Sequence, residues 1–589
     1  ATAILLYRLI RDTISEVAGV LAACFWAFNT HILVFLYKTG VESSITLFLV
    51  LVLLHALHRF EKTWRTRPPS LRQIAGLAAL AVLVTFGRLD LAFFCLIVGI
   101  WIVFRDTPAR FYLPFDLLAL VIATVSAFVT RLGFAAYYDS QQAVTIMLVA
   151  EIVCKIPIFF LFGLYGKPSS GRRGQYLARL VLAVAVGSSL PALVLLGGSA
   201  AGVLPVYSRA ILLLDAAVTL GLVLGIRLGA VFFGTRSSPA GNLSPWSALR
   251  EHGRRWLQEG AVFYGILGGT LAAYMLWNQL AFGTPTPVSG QIKHWWGTFT
   301  HSIYGTSAGS WLTFFALNPF SEFNAWAPLT TLFSDWHNQL LFPRGNGLGN
   351  PRWQSSFAVM LIFCGLALLA VAALSKKSTI KAVVKTGMIP LFAGSWLQIL
   401  AYNVTGFASA KEWYWLLQPV FLLLMLAVLV RAVLARLGRQ AVAARYALWA
   451  LAAWYGATSG FGYWRDAYAL NPYGLHPPGT AYSPVIPFLE ENTEPGALVG
   501  MTGGGNVGYL MPSRTIVNMD GLINSYQYFE AMQAGTGSDY LYNTGLRYVF
   551  ANPTILAANP YRGQYVDRLE LLVDWGGKDL LRLLPRVEQ

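Results

Sequence analysis

A handful of charged residues sit in short, turn-like stretches between long apolar runs. "YKTGVESSI" places Glu42 in a tight turn at the lip of an apolar segment, and "FGRLDL" places Arg88 and Asp90 two positions apart in another. "QLAFGTPTPVSGQIKHWW" passes through a Pro/Gly turn to Lys293 and His294, and "SAKEWYWLLQP" carries Lys411 and Glu412. Carboxylates of this kind can take a proton from a hydroxyl or hold a divalent cation. Glu42 and Asp90 are therefore candidate bases, and Glu42 is also a candidate ligand for Mg or Mn. Lys and Arg side chains in the same turns can bind a phosphate. If the turns converge they form a polar pocket; if they do not, they are unrelated interfacial charges.

The elements that carry these turns are apolar. The chain has 589 residues, is 56% hydrophobic with a mean hydropathy of +0.54, and only 12% of its residues are charged. A soluble protein of this length cannot bury that much apolar surface, so the composition points to a polytopic α-helical membrane protein. Candidate spans cover about 14–37, 41–58, 73–87, 91–104, 113–137, 142–165, 177–199, 207–233, 259–281, 355–374, 386–402, 412–430 and 446–459. That is about thirteen helices, and 73–104 reads as two partial crossings around "GRLD". The net charge of +16 invites a nucleic-acid reading. Its distribution argues against nucleic acid as a partner, because the charge follows the topology.

Loops 59–72, 105–112, 166–178, 235–258, 375–385 and 431–445 hold 22 Lys and Arg, whereas the intervening short loops hold only Lys38, Arg88 and Lys411. By the positive-inside rule the basic set is cytoplasmic. Two long segments then fall outside: loop 282–353, which belongs to a transmembrane domain of residues 1–459, and the tail 460–589. The tail opens with the Pro/Gly/Tyr-rich "PYGLHPPGTAYSP" and continues with "ALVGM", "TIVNM", "YFEAM" and "LRYVFA", which read as a small extracytoplasmic α/β domain.

Other motifs are weaker. "GGGNVGYL" follows the strand-like "GALVGM" and matches the dinucleotide fingerprint G-x-G-x-x-G at Gly503, Gly505 and Gly508. Asp520 follows too soon to be the fingerprint's ribose-binding acid, so the glycines read as a tight turn and no cofactor-binding residue is assigned. Glu151 and Lys155 can pair four apart on one helix face, while the role of Asp215 stays open. His55 and His58 read as an interfacial pair. Cys24, Cys95, Cys154 and Cys364 lie in apolar runs without metal or disulfide spacing. No Walker A, H-E-x-x-H or G-x-S-x-G motif occurs.

Taken together, "TGVESSI", "FGRLDL", "NQLAFGTPTPVSGQIK" and "GYLMPSRTIVNMDGL" resemble turns and outer segments of the GT-C superfamily of membrane glycosyltransferases, in particular its bacterial mannosyl- and arabinofuranosyltransferases. The resemblance implies transfer of a sugar from a polyprenyl-phosphate donor to a cell-envelope glycan or glycolipid, at the outer face of a bacterial plasma membrane. It places Glu42 at an acidic outer-loop position. It makes Lys293, with His294 beside it, a contact for the donor phosphate, with Arg88 and Lys411 as further candidates. The family's principal catalytic Asp lies between its first two helices, and the opening "ATAILLYRLIRD" is expected to follow that point. On this reading the chain is N-terminally truncated and its main base lies upstream of residue 1. Two other classes remain: a lipid or solute transporter such as a flippase, and a non-catalytic envelope assembly protein.

Overall fold

The computed structural model describes residues 1–29, 32, 42–166, 173–234, 245–317, 325–326, 365, 368, 377–408, 411–470 and 484–586. In chain order its larger helices are α1 (Thr2–Thr13), α2 (Glu16–Phe28), α3 (Ser43–Thr63), α4 (Leu71–Gly87), α5 (Ala92–Val103), α6 (Ala109–Asp139), α7 (Gln141–Leu161), α8 (Arg173–Ala200), α9 (Arg209–Gly234), α10 (Pro245–Phe282) and α11 (Val288–Gly297). There follow α12 (Trp311–Phe314), α13 (Lys377–Lys385), α14 (Met388–Val404), α15 (Leu417–Leu434) and α16 (Ala441–Leu470). The chain divides into two compact units. One comprises Ala1–Thr270, Ala308–Val404 and Ala410–Phe461, and the other Leu271–Ser307, Thr405–Ser409 and Gly462–Gln589.

Among the described residues seven helices are long and apolar enough to cross a bilayer, or eight if the bent pair α13–α14 counts as one span. Such helices satisfy their own backbone, which hydrocarbon requires. Large side chains on them lie bare, with Leu193 70%, Leu213 72% and Leu280 78% exposed. In water that surface would drive association, whereas lipid solvates it. The protein is thus a helical, polytopic membrane protein with a small C-terminal α/β sheet. Three shorter apolar helices, Glu16–Phe28, Leu71–Gly87 and Leu89–Val103, include the partial crossings expected around "GRLD". The expected span 355–374 and the linker "PYGLHPPGTAYSP" lie almost wholly outside the described residues, as does most of the expected loop 282–353 beyond residue 317.

Two close approaches set the geometry of the first unit. A Cβ on Gly87, the last residue of α4, would lie 2.7 Å from Thr46 Oγ1 on α3. A Cβ on Gly394 of α14 would lie 2.8 Å from the Phe94 backbone on α5. Glycine at both points lets three helix ends meet around the turn that follows α4. At the opposite end of α3, Glu61 pairs with Arg110, whose guanidinium lies 3.7 Å from the Trp101 ring centroid. Arg105 pairs with Glu259 of α10.

The second unit contains a five-stranded sheet of order β2-β1-β3-β5-β4, built from β1 (Leu498–Met501), β2 (Thr515–Asn518), β3 (Tyr548–Ala551), β4 (Leu569–Asp574) and β5 (Asp579–Leu583). The first three strands are parallel, and β4–β5 form an antiparallel hairpin. "ALVGM", "TIVNM" and "LRYVFA" supply the parallel strands, and "YFEAM" lies in the helix Tyr526–Gln533. The hairpin went unread in the sequence, although its "DWGGKD" turn is legible. Gly576 and Gly577 have φ of 68° and 108°, and the Gly576 N–H donates to Asp574 Oδ1 over 2.8 Å. Val499, Met501, Phe550 and Leu580 pack on one side with Phe488 and Leu489, while Met519, Val549 and Leu581 pack on the other with Tyr528 and Tyr561.

Candidate functional site

In the first unit, three of the charges singled out in the sequence meet. Arg88 is held in the turn after α4 and is only 5% exposed. Its Nε and Nη2 donate to Asp90 Oδ1 and Oδ2, each over 3.1 Å. Its Nη1 donates to Glu42 Oε1 over 3.1 Å and to the Trp413 carbonyl over 3.3 Å. The guanidinium also lies 4.4 Å from the Tyr414 ring centroid. Four of its five N–H groups thus have protein acceptors, and the cation is neutralised where it sits.

Asp90 is saturated as well. Its Oδ2 accepts from Tyr402 Oη at 2.6 Å and from Gln398 Nε2 at 2.7 Å, in addition to Arg88. Gln398 in turn donates to the Tyr414 carbonyl over 3.0 Å and accepts from Gln418 Nε2 over 3.2 Å. A carboxylate with two donors from one guanidinium and two more from neutral groups has little capacity left to take a substrate proton. The geometry therefore makes Asp90 the residue that positions Arg88. The sequence singled out neither Tyr402, Gln398 nor Gln418. Polar side chains inside otherwise apolar runs, at spacings of four residues and across the 398–418 turn, were the available signal.

Glu42 differs from both. It is the residue before α3, and 54% of its side chain is exposed. One oxygen takes the Arg88 bond, and Ser43 beside it donates Oγ to the same Trp413 carbonyl over 3.0 Å. The rim thus presents one accessible carboxylate on a fixed support, with a net charge of −1 over Arg88, Asp90 and Glu42. Tyr414 closes the cluster, and burial pushes its phenol up to about 12 against the opposing pull of Arg88, so it stays a neutral hydrogen-bonding group. Lys411 starts the same turn, half-buried, its carbonyl accepting the Tyr414 N–H over 3.0 Å. The Glu412 side chain lies outside the described residues.

The expected divalent cation does not fit this arrangement. Glu42 faces an arginine, Asp90 already accepts four hydrogen bonds, and among the described residues no group of three or more His, Cys, Asp or Glu side chains converges.

Lys293 and His294 belong to the second unit, on α11. The Lys293 Nζ lies 5.1 Å from the Phe407 ring centroid, and its carbonyl accepts the Ala408 N–H over 3.2 Å. His294 Nδ1 is 2.9 Å from the Thr405 carbonyl, and its ring packs edge-on against Phe407. A carbonyl can only accept, so Nδ1 carries the proton and Nε2 presents a lone pair. Burial pulls the imidazole below its ordinary value, with the Thr405 contact only partly opposing it. A neutral imidazole is a poor ligand for phosphate, so of this pair Lys293 is the cation.

The glycine-rich turn is internally committed. Gly503 has φ of 68°, and its N–H donates to Asp520 Oδ2 over 3.1 Å. A Cβ on Gly504 would lie 2.7 Å from both Ile516 and Met501, and one on Gly508 would lie 3.3 Å from Ile516. These glycines seat a short helix on the sheet, and a carboxylate of the chain itself takes the N–H that a pyrophosphate would need.

His55 Nε2 contacts the Leu5 carbonyl at 2.7 Å and His58 Nδ1 the Lys385 carbonyl at 2.9 Å, so the two histidines tie separate segments together and share no ligand. No protein-family model, no curated protein and no solved structure matches the chain.

Proposed function

We propose that this chain is a membrane glycosyltransferase of the GT-C type. It moves a sugar from a polyprenyl-phosphate donor onto a cell-envelope glycan or glycolipid at the outer face of a bacterial plasma membrane, through about thirteen spans. The observation that carries the reading is the rim cluster. Glu42, Arg88, Asp90, Gln398 and Tyr402 come from distant parts of the chain, yet their side chains form one hydrogen-bonded set that ends in an accessible carboxylate.

On this reading Glu42 is a secondary acceptor for the hydroxyl proton of the acceptor, beside the family's principal Asp. The acceptor oxygen bonds to the anomeric carbon, the bond from that carbon to the phosphate oxygen breaks, and polyprenyl phosphate leaves with inversion. Arg88 fixes Glu42, Asp90 fixes Arg88, and Lys411 in the same unit supplies a cation for the phosphate. The test is transfer of labelled sugar from polyprenyl-phosphate donors in membranes containing the protein. Glu42→Gln is expected to lower transfer by about a hundredfold, within the usual range for a general base, with little change in stability because the side chain is half exposed. Unchanged transfer by Glu42→Gln would remove Glu42 from the mechanism.

A second reading, a lipid or solute transporter, draws on a different observation: three ionisable side chains, Glu151, Lys155 and Asp215, cluster deep among the helices. Energy-dependent uptake without sugar transfer would favour it.

A further inference from the structure

The cluster of Glu151, Lys155 and Asp215 lies among α6, α7 and α9, away from the rim. Lys155 Nζ is 2.6 Å from Glu151 Oε2 and 2.5 Å from Asp215 Oδ2, and it donates to Thr219 Oγ1 over 3.0 Å. Asp215 Oδ1 accepts from Thr124 Oγ1 over 3.1 Å. The three charged side chains are 2%, 0% and 0% exposed, respectively. Lys155 thus donates to Asp215 and Thr219, and both Asp215 oxygens accept, from Lys155 and Thr124. Glu151 differs: Oε2 lies close to the ammonium but out of line with it, and has no hydrogen-bond partner. Asp215 Oδ2 contacts the same ammonium, so the two acids flank Lys155 from two helices.

With both acids ionised, the cluster would bury two negative charges against one positive charge. Among the described residues, the neighbouring side chains do not supply the missing cation. Arg227 on α9 is committed to Asp116 on α6 through two bonds of 2.7 Å. From α8, Gly187 faces the Lys155 stem, where a Cβ would lie 3.3 Å from Lys155 Cγ. Cys154, beside Lys155 on α7, contributes only a thiol. An uncompensated buried charge is resolved by protonation.

We propose that Glu151, Lys155 and Asp215 form a binding site for one proton, held on Glu151 and directed toward Asp215. The proton makes the cluster neutral, with a carboxylic acid, an ammonium and a carboxylate joined across α6, α7 and α9. The site is independent of sugar transfer and of the rim carboxylate.

The sign of its pH dependence follows from the proposed proton itself, which the folded state holds. Between the proton affinities of the unfolded and folded chains, the folded state binds more protons, so stability falls as pH rises through that window. Glu151→Gln mimics the protonated acid and removes the loss. Asp215→Asn also removes the proton, because Glu151 then pairs with Lys155 as a carboxylate.

The experiment is infrared difference spectroscopy on the full chain in lipid discs, titrated between about pH 6 and pH 10, the range that brackets documented buried glutamates. One protonated-carboxyl carbonyl band is expected to disappear with rising pH in the wild type, and to be absent in both Glu151→Gln and Asp215→Asn. In parallel, the thermal midpoint of the wild type should drop across the alkaline range while that of Glu151→Gln stays level. Survival of the same band in both variants would overturn the proposal, as would a parallel alkaline drop in Glu151→Gln. Because Glu151→Gln preserves shape and the neutral charge state, a failure to fold by that variant would count against it too.

Discussion

Asp90→Ala should be among the more damaging single substitutions in the first unit, although Asp90 is a turn residue with 12% of its side chain exposed. The change removes four accepted hydrogen bonds, two of them charge-assisted from Arg88. What remains around the guanidinium, which is 5% exposed, is one bond to a half-exposed Glu42, the Trp413 carbonyl and the Tyr414 ring. Removing one partner of a buried ion pair costs about 3–5 kcal/mol. Glu42 still compensates part of the charge, so the expected loss is about 3 kcal/mol. Asp90→Asn should cost less. Its amide can turn so that the oxygen keeps Arg88 Nη2, Tyr402 and Gln398, losing the charge and the Arg88 Nε bond, at about 2 kcal/mol. Arg88→Met combined with Asp90→Asn removes both charges together and should be clearly less destabilised than the sum of the single changes. The assay is reversible denaturant unfolding of the purified protein in micelles, with Asp90→Ala, Asp90→Asn, Arg88→Met, the double variant and wild type in one buffer. An Asp90→Ala variant within about 0.5 kcal/mol of wild type, the scatter of ordinary surface substitutions, would refute the claim that this network holds the rim together.

Two further outcomes are expected in the second unit. His294 is half-buried and its imidazole lies below the ordinary value, so the unfolded chain binds the proton more readily. Its contribution to stability should be present above about pH 6.5, the unperturbed value, and be lost as pH falls through the depressed folded value; nitrogen-15 histidine spectra should show the Nδ1–H form at neutral pH. Gly504→Ala should destabilise the sheet by about 1–3 kcal/mol through overpacking against Ile516 and Met501. Gly505→Ala, where a Cβ meets nothing within 4 Å, should be neutral or mildly stabilising. Hydrogen exchange in β1 and β2 of the full chain separates the two.

What could be read from the sequence and what could not divide along physical lines. Hydropathy averages over about twenty residues, so it located the seven long apolar helices among the described residues and the two shorter ones on either side of "GRLD" without knowledge of neighbours. Strand-like runs bounded by glycine located β1, β2 and β3 for the same reason. Pairing between helices has no such local signal. Glu151–Lys155 was visible because its spacing is four, but Asp215 is 60 positions from Lys155, and Arg227 lies 111 positions from Asp116. Arg227 and Asp215 share a helix and could be taken for partners, yet each finds its counter-ion on another helix. The rim shows both cases. Arg88 and Asp90 announce themselves two residues apart, whereas Tyr402 and Gln398, which decide what Asp90 can do, reach it from more than 300 positions away.

The same distinction separates the role of a carboxylate from its identity. Glu42, Asp90 and Asp520 are equivalent as letters: each is an acid in a turn near glycine. Their surroundings give them different work. Asp520 is buried, which raises its proton affinity against the pull of the Leu522 and Gly503 N–H groups and of Lys293, and it braces the glycine turn. Asp90 is saturated by four donors and braces an arginine. Of these three acids only Glu42 combines a fixed support with an open face that is left for something other than the protein itself. A rim with one available carboxylate is therefore a sharper claim than a rim with three. Exchanging Glu42 and Asp90 individually for their amides distinguishes the two: the first should affect substrate chemistry with little loss of stability, the second stability before chemistry.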